Sequence, residues 1–171
     1  LLLELKELYG YEAKELEYGP GLYVPYFVTE GDENNEELFQ LREQLMLMQF
    51  DGRITLEMGR YMAASCGTYL TKVVDEKENA GVQYAIVDGG IHHLNYFGQT
   101  MAMKLPYFKQ LNGENFEEKA DGVENLTTVC GSLCTVSDVL VKKMPLHGEI
   151  MGDVLAFENT GAYSVTEGIY L

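Results

Sequence analysis

Apolar positions in the first sixty residues fall into two helical stripes and two short extended runs. Leu2, Leu5 and Leu8 recur at helical spacing among Glu and Lys, and Gly10 stands where a helix C-cap belongs, so the pattern predicts the end of an amphipathic helix. Residues 14–18 read as a short strand, closed by Gly19-Pro20-Gly21, a turn too rich in glycine for helix. An acidic loop over 30–35 follows. Leu38, Leu41, Leu45 and Met48 then form a second helical stripe, with Glu36 and Glu37 in its first turn, where the helix dipole favours acids. Phe50-Asp51-Gly52 closes it, and Ile54-Thr55-Leu56 reads as a buried strand running into Glu57-Met58-Gly59-Arg60. This β/α rhythm suits the last units of a parallel barrel, where ligand groups gather at the C-terminal ends of the strands.

Beyond Arg60 the helical period does not return. Residues 69–74 and 82–87 are β-branched and aromatic runs on either side of a charged stretch, 75–81, that reads as a hairpin-like turn. Further strands are expected over 126–130, 139–144, 153–157 and 164–171. The fold class is therefore mixed α/β followed by mostly β, the second part barrel-like because such a module must cover its edges. The boundary falls near Ala63–Gly67, giving segments 1–64 and 65–171.

Composition narrows the function. The chain has 171 residues, with 27 Asp and Glu against 12 Lys and Arg, a formal net charge of -15. Binding a phosphodiester backbone needs a basic stripe, and none is present beyond Lys142-Lys143, so nucleic acid is not an expected partner. No apolar run approaches bilayer length, so no membrane partner is expected. An odd count of three cysteines fits a reducing cytoplasm better than a disulfide framework. The chain opens at Leu1 without an initiator Met and stops within an apolar pattern, which reads as an internal fragment of a longer protein.

Four stretches carry candidate chemistry. Gly59 lets the backbone approach an anion without a β-carbon in the way, Arg60 adds a permanently charged planar fork suited to phosphate oxygens, and Glu57 stands at the same strand end, able to pair with a protonated ring nitrogen. Cys130-Gly131-Ser132-Leu133-Cys134 has the wrong spacing for a zinc knuckle. It is either a pair of buried structural cysteines or an exposed loop that delivers Cys134 to a site. His92 and His93, adjacent on a strand, would point to opposite faces and chelate poorly, so no metal is expected. Tyr163, after the Asn159-Thr160-Gly161 turn, is either a packed aromatic or a phenol aimed into a cleft.

In this order, the stretches resemble the fold-type III pyridoxal-phosphate decarboxylases, the family of diaminopimelate, ornithine and arginine decarboxylases. Gly19-Pro20-Gly21 matches the family's triple-glycine loop, Glu57-Met58-Gly59-Arg60 its E-P-G-R turn and Asp88-Gly89-Gly90 its D-G-G strand end. Cys134 and Asp138 match its G-P-x-C-x-x-x-D loop, and Gly161-Ala162-Tyr163 its G-A-Y. The resemblance implies the last units of a (β/α)8 barrel followed by a C-terminal β domain, with pyridoxal 5'-phosphate as cofactor. Gly19, Gly21, Gly59 and Arg60 would hold its phosphate with help from Tyr163, and Glu57 would pair with the pyridinium nitrogen, keeping the ring an electron sink. Cys134 would cross a two-fold interface and assist protonation after carbon dioxide leaves, making a homodimer with shared sites. Thr135 and Asp138 would lie on the substrate side.

Two departures bear on the substrate. The Arg-Pro-x-Leu-Tyr segment of the diaminopimelate and lysine members is replaced by His92-His93-Leu94-Asn95-Tyr96-Phe97-Gly98-Gln99, and the acidic residue after the cysteine is Thr135. Both turn the expectation from diaminopimelate toward another amino acid or an acylated one, as in carrier-protein-linked pathways. The family's cofactor-bonding lysine lies upstream of Leu1, so this stretch alone is expected to be inactive. A racemase, or a dimerising homologue without turnover, are the alternatives.

Overall fold

The computed structural model describes residues 1–31, 36–48 and 50–169. The first part is α1 (Leu2–Tyr9), β1 (Glu15–Tyr18), α2 (Glu36–Leu47), β2 (Arg53–Leu56) and the short α3 (Gly59–Ala63). Gly10 ends α1 in the left-handed conformation, at φ 65°, its N–H returning to the Leu5 and Lys6 carbonyls as the sequence pattern requires. β1 and β2 pair in parallel from Glu15↔Arg53 to Tyr18↔Leu56, with α2 as the crossover. No described residue of α1 or α2 is fully buried, and their apolar stripes are only partly covered by this chain.

The second part is a six-stranded mixed sheet. It is built from β3 (Tyr69–Asn79), β4 (Val82–Val87), β5 (Phe108–Leu111), β6 (Glu124–Cys130), β7 (Val139–His147) and β8 (Val154–Phe157), in the order β5-β8-β3-β4-β6-β7. All neighbours are antiparallel except β4 and β6, which run parallel. β5 and β7 are the outer strands. The Gln110 side chain of β5 nonetheless bonds both backbone groups of His147 on β7, which curls the sheet toward barrel closure without a continuous ladder.

Phe157, Met144, Leu146, Leu155, Val73, Val87, Val129 and Val141 fill the core, each under 2 % exposed. Phe27 joins them from the other side of the expected 64/65 boundary, with Tyr26 beside it. Phe27 bridges Pro106, and Val28 donates to the Leu105 carbonyl at 2.9 Å, so the loop between β1 and α2 is stitched into the sheet module.

Three local expectations are corrected. The charged stretch 75–81 is not a turn: β3 continues through Asn79, pairing Asn79 with Val82, and only Ala80 and Gly81 turn, both at positive φ. That arm projects beyond the core with residues 74–83 all exposed, so charges are compatible with strand there. The strand expected over 164–171 is a series of turns through Glu167, with Glu167 N–H bonding the Tyr163 carbonyl at 2.7 Å; residues 170–171 lie outside the described residues. His92 and His93 lie in a turn rather than on a strand, and their rings meet at a tilt of 43° with centroids 3.8 Å apart instead of facing apart. β5 and α3 carried no signal that the apolar pattern could separate from loop. Among the described residues, no helix is long and apolar enough to cross a membrane, and no group of three or more His, Cys, Asp and Glu is placed to hold a metal ion.

Candidate active site

Parallel pairing puts the C-terminal ends of β1 and β2 side by side. Glu57 N–H bonds the Tyr18 carbonyl at 2.9 Å, extending the ladder by one step, so Gly19-Pro20-Gly21 and Glu57-Met58-Gly59-Arg60 leave the sheet together. Gly21, at φ 66°, has nothing within 4 Å of a built β-carbon, which leaves its backbone open to a ligand. A β-carbon on Gly19 would lie 3.9 Å from the Glu57 Oε2, which places that carboxylate over the same turn.

Tyr163 arrives from the far end of the chain. The turn that carries it is docked on the segment directly after α3: Thr160 N–H bonds the Gly67 carbonyl at 3.0 Å and Gly161 N–H the Ala64 carbonyl at 2.9 Å. Gly161 must lack a side chain, because a β-carbon there would overlap the Ala63 carbonyl. The Tyr163 hydroxyl then stands 3.4 Å from where a Gly59 β-carbon would be. Gly21, Glu57, Gly59, Arg60 and Tyr163 thus line one cleft of about 260 Å³.

Sequence reasoning missed the aromatic setting of Arg60. Its guanidinium carbon lies 4.0 Å from the Phe97 ring centroid, 5.3 Å from that of Tyr163 and 5.9 Å from that of Tyr26. Tyr26 sits in no motif and Phe97 lies in the segment 92–99 that departs from the family's pattern, and only the tertiary fold brings both to Arg60.

The loop after β6 is separate. Cys134, Thr135 and Asp138 do not line the cleft. Cys134 is an exposed free thiol, and the Thr135 hydroxyl is 2.9 Å from that of Ser137. Asp138 is turned inward, 2 % exposed, and its carboxylate accepts from Ile91 N–H and Leu133 N–H, both at 2.8 Å. These bonds shape the loop, a different use from the substrate contact expected of Asp138. Gly131 and Gly90 leave the space its carboxylate fills, since a β-carbon on Gly131 would overlap Asp138 and one on Gly90 would sit 2.7 Å from Oδ2. Burial pushes the Cys130 thiol above its ordinary range, while at the end of β4 the Thr71 hydroxyl bond holds Asp88 below the usual carboxylate range.

Residues 11–161 match the family model described as pyridoxal-dependent decarboxylase, C-terminal sheet domain. The chain belongs to the pyridoxal-dependent decarboxylases. It is 28% identical over 172 residues to the L-glutamyl-[BtrI acyl-carrier protein] decarboxylase of Niallia circulans, covering 94% of this chain and 39% of that protein. To the diaminopimelate decarboxylase of Campylobacter jejuni it is 29% identical over 168 residues, covering 95% of this chain and 38% of that one. Among solved structures, the diaminopimelate decarboxylase of M. jannaschi superposes with a TM-score of 0.75 at 28% identity, over 98% of this chain and 37% of that one. The chain therefore spans less than two-fifths of the length of each.

For a member of the pyridoxal-dependent decarboxylases, the cleft has suitable chemistry. A phosphate ester requires backbone approach, a cation and hydroxyl donors, and the open Gly21, Gly59, Arg60 and Tyr163 offer these. A protonated ring nitrogen requires a carboxylate, and Glu57 lines the same cleft.

Proposed function

We propose that the whole protein of which this chain is part is a pyridoxal 5'-phosphate-dependent amino-acid decarboxylase. The observation that carries this is the convergence of the Gly21, Glu57–Arg60 and Tyr163 turns, three segments remote in sequence, on one cleft. On this reading, residues 1–64 are the C-terminal portion of a (β/α)8 barrel and 65–171 the decarboxylase's β domain. The alternation from β1 to β2 supports the first assignment and the six-stranded sheet the second.

When bound, the cofactor supplies an electron sink for the pair left on the α-carbon as the carboxylate departs. Arg60, the Tyr163 hydroxyl and the backbone at Gly19, Gly21 and Gly59 bind the phosphate and so fix the ring's position. Glu57 keeps the ring nitrogen protonated by pairing with it. The Cys134 thiol then delivers a proton to the α-carbon. Cys134 lies outside the cleft of its own chain, in an exposed loop, and it serves the site of a second copy across a two-fold axis. Thr135 faces the substrate from that loop, while Asp138 positions it through the Ile91 and Leu133 amides.

The substrate is an amino acid or an acylated amino acid. No arginine stands in 92–99, and Thr135 is neutral, so these positions offer neither an arginine to a distal carboxylate nor an acid to a distal amine. The likeness to a carrier-protein-linked glutamyl decarboxylase supports the acylated form. Three free thiols suit a reducing cytoplasm.

The test is the absorbance of the full-length protein with pyridoxal phosphate, followed by carbon dioxide release from free and carrier-linked amino acids. Uptake of the cofactor with carbon dioxide release is expected. Racemisation without release would make the protein a racemase, and failure to take up the cofactor would leave a non-catalytic dimerising homologue.

A further inference from the structure

We propose that Phe97 is a positioning residue for the cofactor's phosphate: by stacking on the Arg60 guanidinium it holds that group toward the cleft. The proposal rests on the assignment of Arg60 to the phosphate made above. Phe97 is the nearest of three rings around the guanidinium, at 4.0 Å to the centroid. A ring against a guanidinium face uses none of the five N–H donors, which lie in the plane, so stacking restricts the long side chain and leaves its donors for an anion. Among the described residues, no ion pair engages the guanidinium, so the rings are what orients it.

Phe97 is not in the core. It is 58% exposed, at a turn whose next residue, Gly98, has φ 77°. The backbone on both sides is nonetheless pinned. Tyr96 is buried with its hydroxyl on the Glu158 carbonyl. Gln99 N–H bonds the Tyr96 carbonyl at 3.0 Å, and its side chain donates to the Lys104 carbonyl at 3.0 Å and accepts from Lys104 N–H at 3.1 Å. A mostly exposed phenylalanine on a fixed turn, with its ring on the one arginine of the cleft, is placed to act on that arginine rather than on stability.

The test uses the full-length protein freed of cofactor and titrated with pyridoxal phosphate and with pyridoxal, which lacks the phosphate. Phe97→Ala is expected to weaken pyridoxal phosphate by about 5-fold, the scale of one cation–ring contact. It should leave pyridoxal affinity and thermal unfolding unchanged, and Phe97→Tyr should restore the lost affinity. In an Arg60→Ala background, Phe97→Ala should cause no further loss. Equal weakening of both ligands, or an undiminished effect without Arg60, would overturn the proposal. If Arg60→Ala alone leaves the preference for the phosphorylated ligand intact, the Arg60 assignment itself falls, and this proposal with it.

Discussion

The side-chain amide of Gln110 pairs with the backbone of His147 as a neighbouring strand would: Nε2 donates to the His147 carbonyl at 3.0 Å and Oε1 accepts from its N–H at 2.8 Å. β5 and β7 are the outer strands of the sheet, so one residue links its two edges. Gln110 is 3 % exposed and also donates to Asp153 at 2.6 Å, which in turn takes Lys119 at 2.8 Å.

Gln110→Ala removes all three of these bonds and leaves the His147 backbone and Asp153 short of partners in a buried setting. The expected loss is about 2–3 kcal/mol of stability, read from urea unfolding of the full-length protein. Gln110→Glu keeps the acceptor, loses the donor and sets a carboxylate beside Asp153, so it should fail to rescue. A variant as stable as wild type would show that the two edges hold together without this link.

Gly161 governs Tyr163 from two residues away. A side chain there overlaps the Ala63 carbonyl, and relief requires the turn to lift from Ala64 and Gly67. Gly161→Ala should therefore cost about 1–3 kcal/mol and lower pyridoxal phosphate affinity at the same time. Tyr163→Phe should lower that affinity with little change in unfolding. Equal behaviour of the two variants in both measurements would refute the docking role.

Asp88 contributes a pH dependence. Its carboxyl is held below the usual range chiefly by the Thr71 hydroxyl at 2.7 Å, aided by the Lys72 N–H at 2.9 Å and opposed by partial burial. The folded value being the lower one, this stabilisation is present in full above the unfolded carboxylate value of about 3.9 and is lost as pH falls through the folded value. Thr71→Val should then destabilise at neutral pH, with the gap from wild type narrowing below about pH 4. The gap should not vanish, because the Thr71 hydroxyl also accepts from Gly89 N–H at 3.0 Å, a bond that does not titrate. Urea midpoints from neutral to acid pH measure it, and a gap independent of pH would count against Asp88.

The three thiols should differ in reactivity. Cys66 and Cys134 are exposed, whereas Cys130 is half-buried with its thiol pushed up by burial, which lowers its thiolate fraction. Alkylation of the native protein, followed by peptide mass spectrometry, should modify Cys130 last. If Cys134 enters a partner's site, its labelling should slow relative to Cys66 as protein concentration rises. An unchanged ratio across the association range would argue against the shared site.

Much of the site was legible in the residues, because Gly19-Pro20-Gly21 and Glu57–Arg60 follow strand signals directly and a ligand-facing turn needs glycine at close approach. The Asp138 carboxylate was not legible in its present use. A carboxylate in a hydroxyl-rich loop reads as a ligand group, and only the fold shows Ile91 and Leu133 amides around it. The charged arm 75–79 misled for a related reason: charge marks solvent, and a solvated strand and a solvated turn carry the same composition.

Local chemistry alone determined the helical stripes of α1 and α2, the left-handed stop at Gly10 and the order of the motif-bearing turns, since each depends on residues within a few positions of one another. The rest was decided in three dimensions. The seam between Gln110 and His147, the docking of Gly161 beside Gly67, and the stacking of Phe97 on Arg60 all join residues far apart along the chain. Such contacts leave no period in the sequence, because the partner of each residue is set by how the sheet curls and not by its neighbours in the chain.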